Sequence, residues 1–449
     1  MRKLFASLIC MSALLAACGG GGGSVDSSST GGSSTGGSST GGSTTGSTTG
    51  STTAYNVTSA IVDTGPAALT AANIVAANIM YVKVTVCAPG STTNCQTIDH
   101  VQVDTGSQGL RLISSAITDS TLLAALPPVT VSGTNVAECT AFVDGFSWGP
   151  VVTADVHVGG SDTATTGEAA PGIPIQIIGT STYAVPAACA NDVSSTNNPE
   201  NTVATFGANG IIGLGLFDFD CGTACETVSN GDNYFACTSS SDCVQVAVPE
   251  SSQVVNPVYR LSANNGVTDS NGVIIELPSI SASGAATVSG TLIFGIGTQS
   301  NNALASGATI LTADPYYGYI NAVLGGTTNT LADSYLDSGS NAIYYPTSLP
   351  SCTSTTASGF LCPSTTQAET ATLTGANAVN AAVTFSIANA DSLFNDNPSF
   401  AAFNDLGGAA GTQGASSLAL GLPFFYGRPV YFAMEHTTAG GTSGPYFAF

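Results

Sequence analysis

The sequence predicts an all-β body built from two related lobes, and three observations support this prediction. Short runs that alternate or cluster β-branched residues, such as 80–86, 151–158 and 273–277, lie between turns rich in Gly, Ser, Asn and Asp. Helical periodicity is weak, with 115–126 the best candidate helix. One apolar-Asp-[Ser/Thr]-Gly-Ser motif occurs twice, each time after a strand-like run, which indicates a duplicated lobe.

The amino terminus is expected to be a targeting segment that lies outside the fold. A positively charged start precedes an apolar run, 4–17, that is too short to span a bilayer. Residues 15–18 read Leu-Ala-Ala-Cys, which resembles the lipobox of bacterial lipoproteins. The resemblance implies a signal peptide over 1–17 and a lipidated Cys18; an ordinary secretory signal with an incidental cysteine is the alternative. Gly19 after the cysteine points to the outer membrane, on either of its faces.

The segment 18–53 is predicted to be a flexible linker. Apart from Val25 and Asp26, residues 19–53 are Gly, Ser and Thr, a composition that cannot bury a core. The remaining chain is long enough for two lobes, which we expect at 54–250 and 251–449.

Charge excludes some classes of partner. The formal net charge is −22, and of six basic residues only four remain once the two in the signal are removed. Nucleic acid and anionic membrane surfaces are therefore poor partners. No cofactor and no metal are expected, and a monomer held to the membrane only by its lipid is predicted.

Cysteine usage is typical of an oxidising compartment. The chain has 12 cysteines, and ten remain after Cys10 and Cys18 are set aside. Two pairs, Cys87–Cys95 and Cys352–Cys362, bracket short loops and are expected as disulfides. This leaves Cys139 and Cys189 for each other. Pairing stays open within the cluster Cys221, Cys225, Cys237 and Cys243. Zinc binding by the cluster is the alternative, but its spacing fits no common zinc module.

The duplicated motif carries specific chemistry. Its copies are Asp104-Thr105-Gly106-Ser107 and Asp337-Ser338-Gly339-Ser340. Two carboxylates in near contact cannot both ionise, so they share a proton and can act as base and acid on a water and a carbonyl. The glycines permit tight turns. Hydroxyls of Ser107 and Ser340 are expected to hydrogen-bond the carboxylates, and those of Thr105 and Ser338 to tie the loops together.

The pattern resembles the pepsin-like aspartic peptidases over roughly residues 75–449. Those proteins carry an apolar-apolar-Gly element beside each catalytic loop, and 210–215 and 418–421 look like these elements. The segments 292–297 and 420–435 are similar to other strands of the family. The resemblance implies a two-lobed acid-protease barrel fold with an interlobe cleft, in which Asp104 and Asp337 form the catalytic dyad.

The chain departs from that family at the flap hairpin. Phe142-Val143-Asp144-Gly145 falls where the family presents a tyrosine, so Phe142 lacks the hydroxyl that helps to organise the site. More closely, the whole pattern looks like a group of uncharacterised Gram-negative lipoproteins with a pepsin-like plan. The segments 253–258 and 421–425 support this narrower likeness, which implies no established activity.

Two rival sites have weaker support. Residues 145–149 match the G-x-S-x-G nucleophile elbow of serine hydrolases, but Pro150 and a β-branched run follow where that elbow needs a helix. Asp218 and Asp220 could contribute to a calcium loop, although two carboxylates are weak support for one.

Two hypotheses for function follow. The first is an aspartic endopeptidase anchored to the outer membrane, which uses water activated by the Asp dyad on a peptide or protein substrate. The second is a body of the same plan that has lost turnover and binds peptides or proteins in the cleft. Retention of both Asp residues and of all four flanking hydroxyls favours the first, and Phe142 favours the second.

Overall fold

A computed structural model describes residues 15–16, 54–72, 74–142, 145–160, 167–190, 198–227, 233–411 and 414–449. Strands dominate these residues, which confirms the predicted all-β fold. Of the predicted signal peptide only 15–16 is described, and the lipidation site Cys18 and the linker 19–53 lie outside the described residues. No helix among the described residues is long and apolar enough to cross a membrane.

The strands fall into two halves of the chain. Those of the first half are β1 (Leu15–Ala16), β2 (Val57–Val62), β3 (Ile74–Val75), β4 (Met80–Cys87), β5 (Cys95–Asp104), β6 (Gln108–Ile113), β7 (Thr130–Val131), β8 (Thr134–Ala141), β9 (Phe146–Val158), β10 (Glu168–Ile178), β11 (Gly210–Leu214), β12 (Tyr234–Ser239) and β13 (Asp242–Gln245). Those of the second half are β14 (Gly272–Leu277), β15 (Val288–Phe294), β16 (Ile310–Thr312), β17 (Ile320–Leu324), β18 (Thr330–Leu336), β19 (Ile343–Tyr345), β20 (Gln367–Thr374), β21 (Asn380–Ile387), β22 (Gly407–Ala409), β23 (Ala419–Leu420), β24 (Arg428–Ala433), β25 (Thr438–Ala439), β26 (Thr442–Ser443) and β27 (Tyr446–Ala448).

The described helices are short. The α-helices are α1 (Ala67–Ala71), α2 (Ser120–Ala125), α3 (Ala187–Ala190), α4 (Val203–Phe206) and α5 (Ala390–Asp396), and single 3₁₀ turns cover Ser114–Ala116, Gly222–Glu226, Glu250–Ser252, Pro257–Arg260 and Leu422–Phe425. The candidate helix at 115–126 is thus divided between a 3₁₀ turn and α2. Asp119 caps α2 by accepting hydrogen bonds from the backbone N–H groups of Thr121 and Leu122.

Two large sheets contain most of the strands. The first sheet has the order β13-β12-β8-β9-β10-β6-β11-β5-β4-β2-β15-β14-β24-β27-β16, with β7 beside β8. The second has the order β21-β20-β17-β18-β23-β19-β22. Strands from both halves of the chain join in the first sheet, because β2 pairs along its whole length with β15. The predicted boundary at 250/251 lies in the 3₁₀ turn Glu250–Ser252.

Five disulfides fasten the loops of this body. The predicted pairs Cys87–Cys95, Cys139–Cys189 and Cys352–Cys362 are all present. In the cysteine cluster, Cys221 bonds to Cys225 and Cys237 bonds to Cys243. All four cluster sulfurs are therefore oxidised, and the zinc alternative for them is excluded.

Each Asp motif lies in a four-strand unit, and the two units have the same topology. In the Asp104 unit (β5, β6, β10 and β11), β11 lies between β5 and β6, parallel to β5 and antiparallel to β6, and β10 runs parallel to β6. In the Asp337 unit (β18, β19, β22 and β23), β23 lies between β18 and β19 in the same two orientations, and β22 runs parallel to β19. The duplication seen in the sequence thus extends to strand order and direction.

Candidate active site

Each motif aspartate lies where the first strand of its unit ends. Asp104 is the last residue of β5 and is paired with Gly213 of β11. In the other unit, Leu336 ends β18 opposite Leu420, and the N–H of Asp337 donates to the carbonyl of Leu420. The chain then turns through the small motif residues and returns as β6 or β19. Both apolar-apolar-Gly elements quoted from the sequence are therefore the central strands that hold these turns.

A glycine within β11 (Gly213) or directly after β23 (Gly421) is required by close packing on the motif loop. A Cβ at Gly213 would lie 2.6 Å from the backbone N and C of Gln108. A Cβ at Gly421 would lie 2.1 Å from the carbonyl oxygen of Ala342 and 2.6 Å from that of Ser340. A side chain at either position would push the aspartate loop away from its supporting strand.

The two carboxyl groups have matching hydrogen-bond partners. Asp104 accepts from the backbone N–H of Gly106 (2.9 Å) and from the hydroxyl of Ser107. Asp337 accepts from the N–H of Gly339 (2.8 Å) and from the hydroxyl of Ser340 (2.6 Å). The aspartates themselves are 233 positions apart in the sequence, yet their carboxyl groups are close enough for each to act on the pKa of the other.

The motif loops are also joined to each other. The hydroxyl of Ser338 accepts from the N–H of Thr105 (3.2 Å) and donates to the carbonyl of Val103 (2.8 Å). In return, the hydroxyl of Thr105 accepts from the N–H of Ser338 (2.9 Å). The side-chain amide of Gln102 adds a bond to the carbonyl of Gly339 (3.2 Å). These bonds fix the spacing of the two aspartates, since each loop uses the other loop's backbone.

The electrostatics of the pair favour retention of a proton. Burial and the negative charge of Asp337 raise the pKa of Asp104 well above its usual range, against the hydrogen bond from Ser107. Burial also raises the pKa of Asp337, although hydrogen bonds from Ser340 and Asp104 oppose that rise. Such a pair titrates as a unit, and one proton is bound where isolated carboxyls would have lost theirs.

Both aspartates are fully enclosed, with an exposed fraction of 0% each. A cavity of about 600 Å³ lies elsewhere in the second half, between β21, α5 and the segment 423–428. Residues of the two motifs do not line it. A peptide could reach the carboxyl pair only if the segments that cover the pair moved apart.

Strands β8 and β9 form a hairpin at the sequence position predicted for the flap. The N–H of Phe142 donates to the carbonyl of Gly145 (2.8 Å) and closes the hairpin, while Val143 and Asp144 lie outside the described residues. The ring of Phe142 is buried and packs edge-on against Phe206, with ring centroids 5.8 Å apart. It belongs to an apolar cluster that includes Tyr81, so a hydroxyl at position 142 would enter apolar surroundings.

A buried ionic network supports the Asp104 loop, and sequence reasoning missed it. Arg111 of β6 is 1% exposed and donates to Glu138 (2.5 Å), to Asp220 (3.4 Å) and to the carbonyl of Gln108 (2.7 Å). The hydroxyl of Tyr234 donates to Asp220 (2.8 Å). The available signal was an arginine in the apolar run after Asp104, because a buried guanidinium needs carboxylate partners.

Burial sets the charge balance of this network. Burial lowers the pKa of Arg111, but Glu138 and Asp220 more than offset that effect, so its pKa is raised and it stays charged. Burial, followed by the charge of Glu138, raises the pKa of Asp220 well above its usual range. Two carboxyl groups thus share one guanidinium, and Asp220 holds a proton more tightly than an isolated aspartate does.

The residues of the two alternative sites predicted from the sequence have other roles in the structure. Ser147 lies inside the long strand β9 and donates to the side-chain oxygen of Gln176 (3.1 Å), so residues 145–149 form no strand-turn-helix elbow. Asp218 and Asp220 form no common calcium loop: Asp220 joins the Arg111 network, whereas Asp218 contacts His436 (3.3 Å).

Comparison with known proteins gives one family. The family model described as "Protein of unknown function (DUF3443)" matches residues 52–449, which includes both aspartate motifs and every strand from β2 onward. No curated protein matches the chain significantly.

Proposed function

The chain belongs to the DUF3443 family of proteins of unknown function, and we propose that it is an aspartic endopeptidase with a two-lobed, pepsin-like body. Asp104 and Asp337 are the catalytic dyad in this proposal, and water is the nucleophile. The observation that carries it is the buried carboxyl pair, held by two loops that hydrogen-bond to each other. Two units of the same topology supply that pair, each with a matching glycine N–H and serine hydroxyl.

A carboxyl pair that holds one proton can perform both proton transfers of peptide hydrolysis. The ionised carboxylate takes a proton from water as the water oxygen bonds to the carbonyl carbon, and the protonated carboxyl gives its proton to the carbonyl oxygen. When the resulting diol collapses, one of its hydroxyls returns a proton to the pair and the amide nitrogen receives one. The C–N bond then breaks, and the pair is left again with one proton.

The hydroxyls of the two motifs serve as positioning groups in this mechanism. Ser107 and Ser340 each donate to one carboxyl group and so direct its second oxygen. Thr105 and Ser338 keep the two loops at a fixed separation. The enclosed position of the pair requires an opening step before a peptide binds.

We further propose that the protein is a lipoprotein of the outer membrane that acts on peptides or proteins. The Leu-Ala-Ala-Cys sequence at 15–18 and the Gly/Ser/Thr linker support this location. Cys18→Ala should release the protein from the membrane fraction or block its processing. Unchanged membrane association of this variant would contradict the proposed anchor.

Phe142 favours a second function, in which the same body binds peptides without cleaving them. The hairpin carries no tyrosine hydroxyl at this position, and the phenylalanine ring is buried in an apolar cluster. A protein of this kind would keep the carboxyl pair as a structural link or as part of a binding site.

Digestion of a broad peptide library by the oxidised, lipid-free chain distinguishes the two functions. The peptidase is expected to cleave most strongly at acidic pH, to be inhibited by pepstatin, and to lose cleavage in Asp104→Asn. Equal cleavage by wild type and variant would show a contaminating protease. Saturable peptide binding by the wild type without any cleavage would replace the peptidase with the binding protein.

A further inference from the structure

A second cluster of polar side chains joins the two halves of the chain away from the aspartate pair. It consists of Asp218, which follows β11, and Glu435 and His436, which follow β24. One ligand atom from each of the three residues lies within 4.8 Å of the other two. We propose that this cluster binds a divalent transition-metal ion of the Zn²⁺ class, although the sequence predicts no metal.

The donor set selects the class of ion. One imidazole nitrogen and two carboxylates suit Zn²⁺ and its neighbours, whereas Ca²⁺ and Mg²⁺ prefer oxygen ligands alone. His436 Nδ1 lies 3.3 Å from Asp218 Oδ2 and 3.8 Å from Glu435 Oε2. Ligands about 2.0–2.2 Å from a tetrahedral ion are separated by about 3.3–3.6 Å, so only a small movement would place all three around one ion.

An independent observation is the incomplete pairing of Asp218. This residue is only 4% exposed, and its Oδ1 has no hydrogen-bond partner. A buried carboxylate oxygen without a partner is costly unless a cation compensates it. Arg260 acts on Asp218 only through its charge, and no ion pair between the two is found among the described residues. A cation bound by both oxygens of Asp218 would satisfy this oxygen, since Oδ2 already faces His436.

The rest of the site is held in place and open to solvent. The N–H of Asp218 donates to Glu435 Oε1 (3.0 Å), and the N–H of Glu435 donates to the carbonyl of Leu216 (2.8 Å). These bonds align the two carboxylates before an ion arrives. The His436 side chain is 77% exposed, so an ion has an entry path and water can complete its coordination.

Calorimetric titration of the oxidised, lipid-free chain with Zn²⁺ tests the proposal. We expect one equivalent to bind the wild type and to raise its melting temperature. His436→Gln should weaken this binding at least about tenfold, and His157→Gln, which removes an imidazole outside the cluster, should leave it unchanged. Glu435→Gln keeps an oxygen that can accept the Asp218 N–H, so it tests loss of charge with the loop bond retained.

The outcomes are decisive for the metal site and independent of peptidase activity. Weaker Zn²⁺ binding in both His436→Gln and Glu435→Gln, with normal folding and normal binding in His157→Gln, supports the site. Binding of equal strength and stoichiometry in wild type and His436→Gln, or no binding to the wild type, overturns it.

Discussion

The Asp104 and Asp337 units share a topology, but different chemistry supports their loops. At the seventh position after the aspartate, the first unit has Arg111 and the second has Tyr344. Arg111 holds the Asp104 loop through the carbonyl of Gln108, while Glu138 and Asp220 accept hydrogen bonds from its guanidinium. Tyr344 holds the Asp337 loop through a neutral bond from its hydroxyl to the side-chain oxygen of Asn341 (2.7 Å).

The two units can therefore share one backbone topology although different side chains support their loops. The parts that hold each aspartate loop are duplicated: a glycine N–H and a serine hydroxyl that bond the carboxyl group, and a glycine in or directly after the central strand that packs on the loop. The side chains that support the loops from outside, Arg111 and Tyr344, are not duplicated, because each unit packs against different neighbours. The Asp337 unit also receives the buried amide of Asn78, which donates to the carbonyl of Asn341 (2.9 Å).

The largest effect is expected when the ionic support is broken. Arg111→Met leaves Glu138 and Asp220 buried without their cation and should lower the free energy of unfolding by about 3–5 kcal/mol. The equivalent change in the other unit, Tyr344→Phe, removes one neutral hydrogen bond and should cost about 1 kcal/mol. Chemical denaturation with all disulfides intact measures both. Equal losses in the two variants would refute the distinction between the units.

The next effect concerns the duplicated glycines. Gly421→Ala and Gly213→Ala should each destabilise the protein by about 1–3 kcal/mol, because the new Cβ meets the backbone of the motif loop. The loss should be larger at Gly421, where the new atom would lie 2.1 Å from a carbonyl oxygen. Thermal unfolding compares the pair, with Gly411→Ala as a control, because a Cβ at Gly411 would meet no atom within 4 Å and its backbone is not left-handed. Similar stability of all three variants would mean that neither loop depends on close packing.

The bonds between the loops should have smaller effects. Ser338→Ala removes two hydrogen bonds and should cost about 1–2 kcal/mol, whereas Thr105→Val removes one and should cost about half as much. Because these bonds set the spacing of the dyad, kcat of any peptide cleavage should fall in both variants more than KM rises. A change in KM alone would assign these residues to substrate binding.

The smallest change is expected for Asp104→Asn at acidic pH. The folded-state pKa of Asp104 is raised, so the folded protein holds this proton more tightly than the unfolded chain does. Its contribution to stability is complete below the unfolded pKa and is lost as pH rises toward the folded pKa. Asparagine does not titrate, so the variant should gain stability relative to the wild type as pH rises from acidic to neutral. Parallel stability curves would contradict the raised pKa.

Features that depend on a short segment of the chain could be predicted from the sequence. The Asp motifs, the apolar-Gly elements and the Cys87–Cys95 and Cys352–Cys362 disulfides are local patterns, and each is present in the structure as a local feature. Pairing within the cysteine cluster stayed open because several partners were equally near in sequence. The all-β fold followed from alternation of β-branched residues, whereas the order of strands in the sheets did not.

The ionic network and the cluster of Asp218, Glu435 and His436 depend on distant contacts that no local pattern encodes. Arg111 meets carboxylates that are 27 and 109 positions away in the sequence. Asp218 meets His436 across 218 positions. Asp218 and Asp220 appeared to be one acidic loop because they are neighbours in the chain. The structure instead directs their side chains into separate networks.

Peptide cleavage by a double-mutant cycle tests the central claim most directly. Rates of library cleavage at acidic pH are measured for the wild type, Asp104→Asn, Asp337→Asn and the double variant. If the two carboxyls act as one proton-sharing unit, each single change should reduce the rate by at least about 10²–10⁴-fold. The double change should then be no worse than either single change. Substantial cleavage by either single variant, or losses that multiply in the double variant, would contradict a shared-proton dyad.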